Sequence, residues 1–238
     1  MKVLLIIPAY NEEAAIKSTV GEIDAFKVKQ EYQLDYVVIN DGSRDNTQEI
    51  LQNNTINHVE LILNLGIGGA VQTGYKYALE NDYDIAVQFD GDGQHDIASL
   101  NNIIQPLLAD EADLVIGSRF VPGSESEFQT STMRRLGVRV ISFFIKLVTG
   151  KKIYDTTSGY RGANRRVIEF FAERYPVKYP EPESIVHLLK KKFKVTETGV
   201  NMFERQTGSS SITPIKSVRY MTEVCLSIII ASLMKEND

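Results

Sequence analysis

The chain has 238 residues, 43% hydrophobic and 24% charged, a globular composition with enough apolar material for a sizeable core. Its net charge of −5 argues against general nucleic-acid binding, its single cysteine, Cys225, excludes an internal disulfide, and its scattered histidines, His58, His95 and His187, lack zinc-like spacing. The opening MKVLLIIPAYNEE turns polar after a short apolar run, and no stretch reaches the ~18–20 apolar residues of a bilayer span, so the expectation is an intracellular protein, soluble or peripheral to a membrane.

Taken in chain order, the first half alternates strand and helix signals. Apolar runs rich in Val and Ile predict strands over Val3–Ile7, Tyr36–Ile39, Val59–Leu63, Ile85–Phe89 and Leu114–Ile116. Helical patterns run between them, from about Glu12 to Phe26, Asp45 to Gln52, Gly68 to Glu80 and Ala98 to Leu108. This alternation predicts an α/β fold, a largely parallel sheet with helices on both faces. From Val121 the pattern changes. Val121–Ser131 reads as a Gly/Ser/Glu-rich loop, Leu136–Val148 as an apolar helix carrying Arg139 and Lys146, and Asp155–Arg166 as a polar stretch. A helix is expected over Tyr179–Lys192, a strand over Val195–Met202 and a flexible loop at Gly208–Ser211. The tail, Ile215–Met234, reads as a helix with apolar positions at Ile215, Val218, Met221, Cys225, Ile228 and Ser232/Leu233.

The polar signals follow the predicted strands, the edge where open α/β sheets bind ligands. Gln88–Asp96, QFDGDGQHD, is the most telling. In an extended chain, residues i and i+2 point the same way, so Asp90 and Asp92 converge on one cation, with Gln94 next on that side. Oxygen-only ligands favour Mg²⁺ or Mn²⁺, and Gly91 and Gly93 leave room for a phosphate or sugar. The alternative is an acidic, Gly-rich turn. In PAYNEE, after Pro8, Tyr10 offers a flat face for a base and Glu12 an acceptor for its edge or the ribose; the alternative is a helix start with acids near its positive end. Asp41, in NDGS, can accept from ribose hydroxyls, or else forms an Asx turn before a helix cap. Asn64–Gly74, NLGIGGAVQTG, which includes Gly69, follows a strand and opens a helix, as a phosphate-binding glycine loop would.

Together IPAYNEE, VINDGSRDNT, NLGIGGAVQTGY, QFDGDGQHD, DLVIGSRF, DTTSGYRGANRRV and FERQTGSSSI occur in an order and spacing that resemble a family-2 glycosyltransferase with the GT-A fold. The likeness is greatest to the branch of dolichyl-phosphate mannose synthases and bacterial polyprenyl-phosphate sugar transferases, and runs from about Val3 to Ile212. It implies a GT-A domain over 1–212, with a nucleotide-sugar half (1–94) and an acceptor half (95–212), and a C-terminal amphipathic helix over 213–238. By resemblance, Pro8, Tyr10, Glu12 and Asp41 hold the nucleoside, with Gly69 and Gly91 also against the donor. Asp90 and Asp92 form the D-x-D motif, with Gln94 as a third metal-side residue. Arg119 and Arg134 or Arg135 face an acceptor phosphate, and Arg205 reaches the diphosphate. The motif departs from the usual Asp-Asp-Gly-Ser at Asn40-Asp41.

The implied reaction is an inverting, Mg²⁺- or Mn²⁺-dependent transfer from a nucleotide-diphosphate sugar, a UDP-sugar in preference to GDP-mannose. The implied acceptor is polyprenyl phosphate, for bacterial cell-surface polysaccharide or glycan synthesis at the inner face of the plasma membrane. A hydroxyl acceptor on a lipid-linked saccharide is the alternative. It would need a base, with Glu183 the candidate and Glu181 second. Sugar nucleotidyl transfer and a non-catalytic nucleotide-binding role are more remote. The apolar helices Leu136–Val148 and Ile215–Leu233 leave membrane surface, core and homodimer contacts open.

Overall fold

A computed structural model of the chain describes residues 1–122, 132–203 and 214–234. The elements, in order, are β1 (Lys2–Ala9), α1 (Ile16–Lys27), β2 (Gln33–Asn40), α2 (Thr47–Asn53), β3 (His58–Glu60), α3 (Gly66–Glu80), β4 (Ile85–Gln88), α4 (Leu100–Leu108), β5 (Leu114–Ser118), α5 (Thr132–Thr149), β6 (Arg161–Asn164), α6 (Arg165–Glu173), α7 (Pro180–Lys190), β7 (Val195–Gly199) and α8 (Pro214–Leu233). The apolar runs become strands because both faces of the sheet are covered. On β1, Val3, Leu5 and Ile7 enter the core beneath α1 and α4, while Leu4 and Ile6 enter the core that α3, α5, α6, α7 and α8 share.

The sheet order is β3-β2-β1-β4-β6-β5-β7. Every pairing is parallel except those of β6, which runs antiparallel to both β4 and β5. The chain builds outward from β1 through β2 to β3, then returns to β1's other side with β4. The C-terminal ends of β1 and β4 therefore flank a topological switch point.

Three local departures from the sequence reading have physical causes. Helix α1 begins at Ile16, because the preceding residues are bonded to the segment before α2 and to its first residue. There, Asn11 N–H donates to Ser43 Oγ (3.0 Å), Glu12 N–H to Thr47 Oγ1 (2.9 Å) and Asn46 N–H to Glu13 Oε2 (2.9 Å). Strand β3 stops at Glu60, leaving Ile62 and Leu63 on the surface. The buried seam of α8 is Val224, Ile228 and Ala231, with Met221 beside it, and Cys225 is half-buried at its margin. The tail helix thus packs on the domain, against α5 and α7. The loops expected at Val121–Ser131 and Gly208–Ser211 lie largely or wholly outside the described residues.

Candidate active site

A cleft of about 270 Å³ opens at the switch point. Pro8, Ala9, Tyr10 and Glu12 reach it from the end of β1, Asp41 from the end of β2, and Gln88, Asp90, Gly91 and Asp92 from the end of β4. Ile67 and Ala70 enter from α3, Glu181 from α7, and Thr157 and Gly159 from the segment before β6. Three motifs far apart in the chain meet here because the parallel strands carrying them end at one edge of the sheet.

Asp41 has two duties in this arrangement. It lines the cleft, and its Oδ1 accepts the backbone N–H of Leu65 at 2.7 Å, tying the glycine loop to β2. Burial pushes its carboxyl up, and the N–H groups of Leu65 and Gly66 partly offset this. The loop's Gly69 lies within the first turn of α3, outside the cleft lining.

The chain turns sharply after β4. Asp92 Oδ1 accepts Gln94 N–H at 3.0 Å, and Gly93 takes a φ of +76°, which a residue with a Cβ adopts at a cost. Asp92 is buried, while the Asp90 side chain keeps 32% exposure. The Gln94 amide points toward the Phe203 carbonyl, 3.5 Å away. Behind Asp90 sits His95. Its Nδ1 accepts Asp90 N–H at 3.0 Å, and burial holds its pKa down to about 3, so the ring is neutral.

Of the far wall, the sequence reading singled out only Glu181, as a second candidate base; Thr157, Gly159 and Arg161 lay within DTTSGYRGANRRV without a role of their own. Arg161, almost wholly buried, donates to the carbonyls of Ser158 (2.6 Å) and Glu181 (2.8 Å) and to Ser184 Oγ (2.9 Å). It thereby ties the segment before β6 to the first turn of α7 and sets Glu181 at the cleft. Burial raises the Glu181 carboxyl pKa, and the Arg161 charge partly offsets this. Gly159 gives the wall its closeness: a Cβ there would lie 2.9 Å from Gln88 Nε2 and 3.2 Å from Asp90 Oδ1. Gln88 was recognisable only as the polar residue closing an apolar strand.

Two expectations need correction. Glu183 is not in the cleft; its side chain bonds Ser227 of α8, and the carboxylate α7 offers the cleft is Glu181. Helical geometry explains this, since residues two apart on a helix face different ways. Arg119 does not stand open for a phosphate. It is buried in a bidentate pair with Asp155, Nε to Oδ2 at 2.7 Å and Nη2 to Oδ1 at 2.8 Å. Exposed Arg135 and buried Arg119 both approach the Phe120 ring, their guanidinium carbons 5.8 and 5.2 Å from its centroid. Arg134 falls in the first turn of α5, and Arg205 lies outside the described residues.

The sheet order with its switch-point cleft is the GT-A arrangement. Glucosyl-3-phosphoglycerate synthase from Mycobacterium tuberculosis, in a crystal structure with Mn²⁺, UDP and phosphoglyceric acid, shares the fold at a TM-score of 0.71. That match is 15% identical and covers 99% of this chain and 80% of that one. The chain belongs to glycosyl transferase family 2, whose family model matches residues 4–171, and it is a glycosyltransferase. Its relatives fall in the polyprenyl-phosphate sugar transferase branch. The UDP-N-acetylglucosamine–dolichyl-phosphate N-acetylglucosaminyltransferase of Methanococcus voltae is 34% identical over 214 residues, 81% of each chain. The undecaprenyl-phosphate mannosyltransferase of Micrococcus luteus is 32% identical over 167 residues, 68% of this chain and 65% of that one.

Proposed function

We propose that this enzyme transfers a sugar from a nucleoside diphosphate sugar to a polyprenyl phosphate, with inversion at the anomeric carbon and a divalent cation held by Asp90 and Asp92. The observation that carries the reading is the meeting of Tyr10, Glu12 and Asp41 with Asp90 and Asp92 in one cleft. The named relatives, which act on dolichyl and undecaprenyl phosphate, support the acceptor class.

The donor set suits Mg²⁺ or Mn²⁺. Among the described residues no three His, Cys, Asp or Glu side chains gather as a metal site. Two carboxylates completed by substrate phosphates are the usual protein contribution for these ions. His95 is no ligand, since its Nδ1 is engaged by a backbone N–H. When bound, the cation would neutralise charge on the departing diphosphate. Tyr10 gives the base a flat face, Glu12 and Asp41 accept from base and ribose, and Glu181 accepts from a hydroxyl of the transferred sugar. A phosphate acceptor is already anionic near neutral pH, with a second pKa of roughly 6, and needs no base.

The position of Glu181 favours a second reading, transfer to a sugar hydroxyl with Glu181 as base. The discriminating assay offers purified enzyme a nucleotide-sugar panel with polyprenyl phosphate, and follows release of free nucleoside diphosphate. Turnover that survives Glu181→Gln with modest loss supports the phosphate acceptor. Transfer only to a lipid-linked saccharide, abolished in Glu181→Gln, would replace it with the second reading.

The base is chosen by the same cleft, and a UDP-sugar is the preferred donor over GDP-mannose. UDP with Mn²⁺ at about 100 times its Kd is expected to stabilise the fold by about 2.7 kcal/mol. For a domain of this size that is a rise of roughly 5–10 °C in Tm. GDP, dTDP and CDP at that same concentration are expected to give less; an equal or larger shift with GDP would reverse the preference.

The outward face of α5 bears on the acceptor. Met133, Leu136, Val140, Phe143 and Leu147 recur every three or four residues and are exposed, opposite buried Val138, Ile141 and Ile145. Arg135, Arg139 and Lys146 are exposed beside this row, and Leu226, Ile230 and Leu233 are exposed on α8, which packs against α5. No helix among the described residues is long and apolar enough to cross a membrane. An apolar row flanked by cations suits the headgroup layer of an anionic bilayer. Sedimentation with anionic liposomes at low salt and release at high salt is the expected result. A stable homodimer with no liposome binding would assign the face to a second copy instead.

A further inference from the structure

Gln88 closes β4, and the proposed reaction gives it no part. Ala86, two residues back on the same face of the strand, enters the core that α3, α5, α6, α7 and α8 share, so Gln88 points to that side. It is 1% exposed and lines the cleft, yet its Oε1 is buried with no hydrogen-bond partner among the described residues. Such a group costs stability, and folded proteins keep few of them. Gly159 packs over the amide. A Cβ there would lie 2.9 Å from Gln88 Nε2 and 3.2 Å from Asp90 Oδ1, so the amide and the Asp90 carboxylate border the same small space. Glu181 enters the cleft from α7 on this side of the sheet.

We infer that Gln88 is a specificity-determining residue: its amide reads a hydroxyl of the transferred sugar. The inference rests on the donor reading above, in which the nucleoside lies against Tyr10 and Asp41 and the diphosphate at Asp90 and Asp92, leaving Gln88 and Glu181 to the sugar. The chemistry of the amide selects the group. Phosphate oxygens only accept and would leave Oε1 unsatisfied, whereas a hydroxyl both donates and accepts. A sugar that lacks the hydroxyl, or turns it away, leaves the amide unpaired and is disfavoured for that reason.

The test is calorimetric titration of UDP, GDP, UDP-glucose, UDP-N-acetylglucosamine and GDP-mannose, with melting curves of the ligand-free proteins. Gln88→Met keeps the length of the side chain and removes both polar ends. Ligand-free, it is expected to melt no lower than the native protein, because Oε1 has no bond to lose. It should bind UDP and GDP within about twofold of the native protein, and the preferred nucleotide sugar roughly 3–10-fold more weakly. Among deoxy forms of that sugar, one should cost the native protein the same factor and cost Gln88→Met nothing further, because both remove one contact. Equal losses for the nucleoside diphosphates and the nucleotide sugars would overturn the inference. So would a Gln88→Met that melts several degrees lower yet keeps the native ranking of deoxy donors, which would make Gln88 a structural residue of the cleft. A native protein that binds neither UDP nor GDP, free or carrying a sugar, would overturn the donor reading itself.

Discussion

Asp92→Asn is expected to abolish sugar transfer while leaving the protein folded. Asp92 is buried at the turn after β4, and its Oδ1 accepts Gln94 N–H at 3.0 Å, a bond an asparagine oxygen can keep. What the substitution removes is the negative charge. Charge stabilisation of several kcal/mol at a departing diphosphate corresponds to roughly 10³-fold in rate or more. EDTA should produce a comparable loss in the native enzyme, restored by Mg²⁺ or Mn²⁺. Far-ultraviolet dichroism and the melting curve of Asp92→Asn should overlay those of the native protein. Full turnover in EDTA, or in Asp92→Asn, would remove the metal from the mechanism.

Asp155→Ala is expected to act on the fold instead. Asp155 is wholly buried and accepts from Arg119 Nε, Nη2 and backbone N–H. Its own backbone is held by Glu197, which accepts the N–H groups of Tyr154 and Asp155 at 2.7 and 2.8 Å. Deleting the carboxylate takes from a buried guanidinium its bidentate, oppositely charged partner, at a cost of about 3–5 kcal/mol. That is a large share of the roughly 5–15 kcal/mol that stabilises a typical domain. Urea unfolding should show it as a lower midpoint. Arg119→Lys should lose part of the same stability, since an ammonium cannot reproduce the two-pronged contact. A loss under about 1 kcal/mol for Asp155→Ala, together with a raised KM for the lipid acceptor, would return Arg119 to the phosphate-binding role that the sequence suggested.

The side of the cleft formed at the ends of β1, β2 and β4 was legible because its residues sit in short motifs immediately after apolar runs. Val3–Ile7 and Ile85–Phe89 read as buried strands, and β1 and β4 lie there, so whatever followed them emerged at the sheet edge. The far wall was opaque for the opposite reason. β6 is Arg-Gly-Ala-Asn, without a β-branched or aromatic residue, and is a strand because β4 and β5 both pair with it. Helix α6, directly after it, was missed: only Arg165 and Arg166 fell in the polar stretch and no element was assigned beyond them, although its Asn164 cap accepts Val167 N–H at 3.2 Å. Between Glu181 and Glu183, only the rotation of α7 decides which carboxylate enters the cleft. Arg119 shows the limit of a motif: its position was readable, but its partner, 36 residues away, was not.

The reversed strand also sets the order in which the molecule can be assembled. β4 is complete at Gln88, yet the neighbour it needs on its outer side is not synthesised until Arg161–Asn164. Until then β4 presents an edge not yet paired, and β5 has no connection to the first four strands through the sheet. A chain released between residues 88 and 161 would expose a template for edge-to-edge aggregation. The seam is also expected to close late in folding, since it joins segments about 75 residues apart and bears the loop-closure cost of that separation. Gln88 pairs with Arg161, so the stitch that shuts the sheet also completes the cleft: nucleotide binding should mature with the last strand contacts rather than ahead of them.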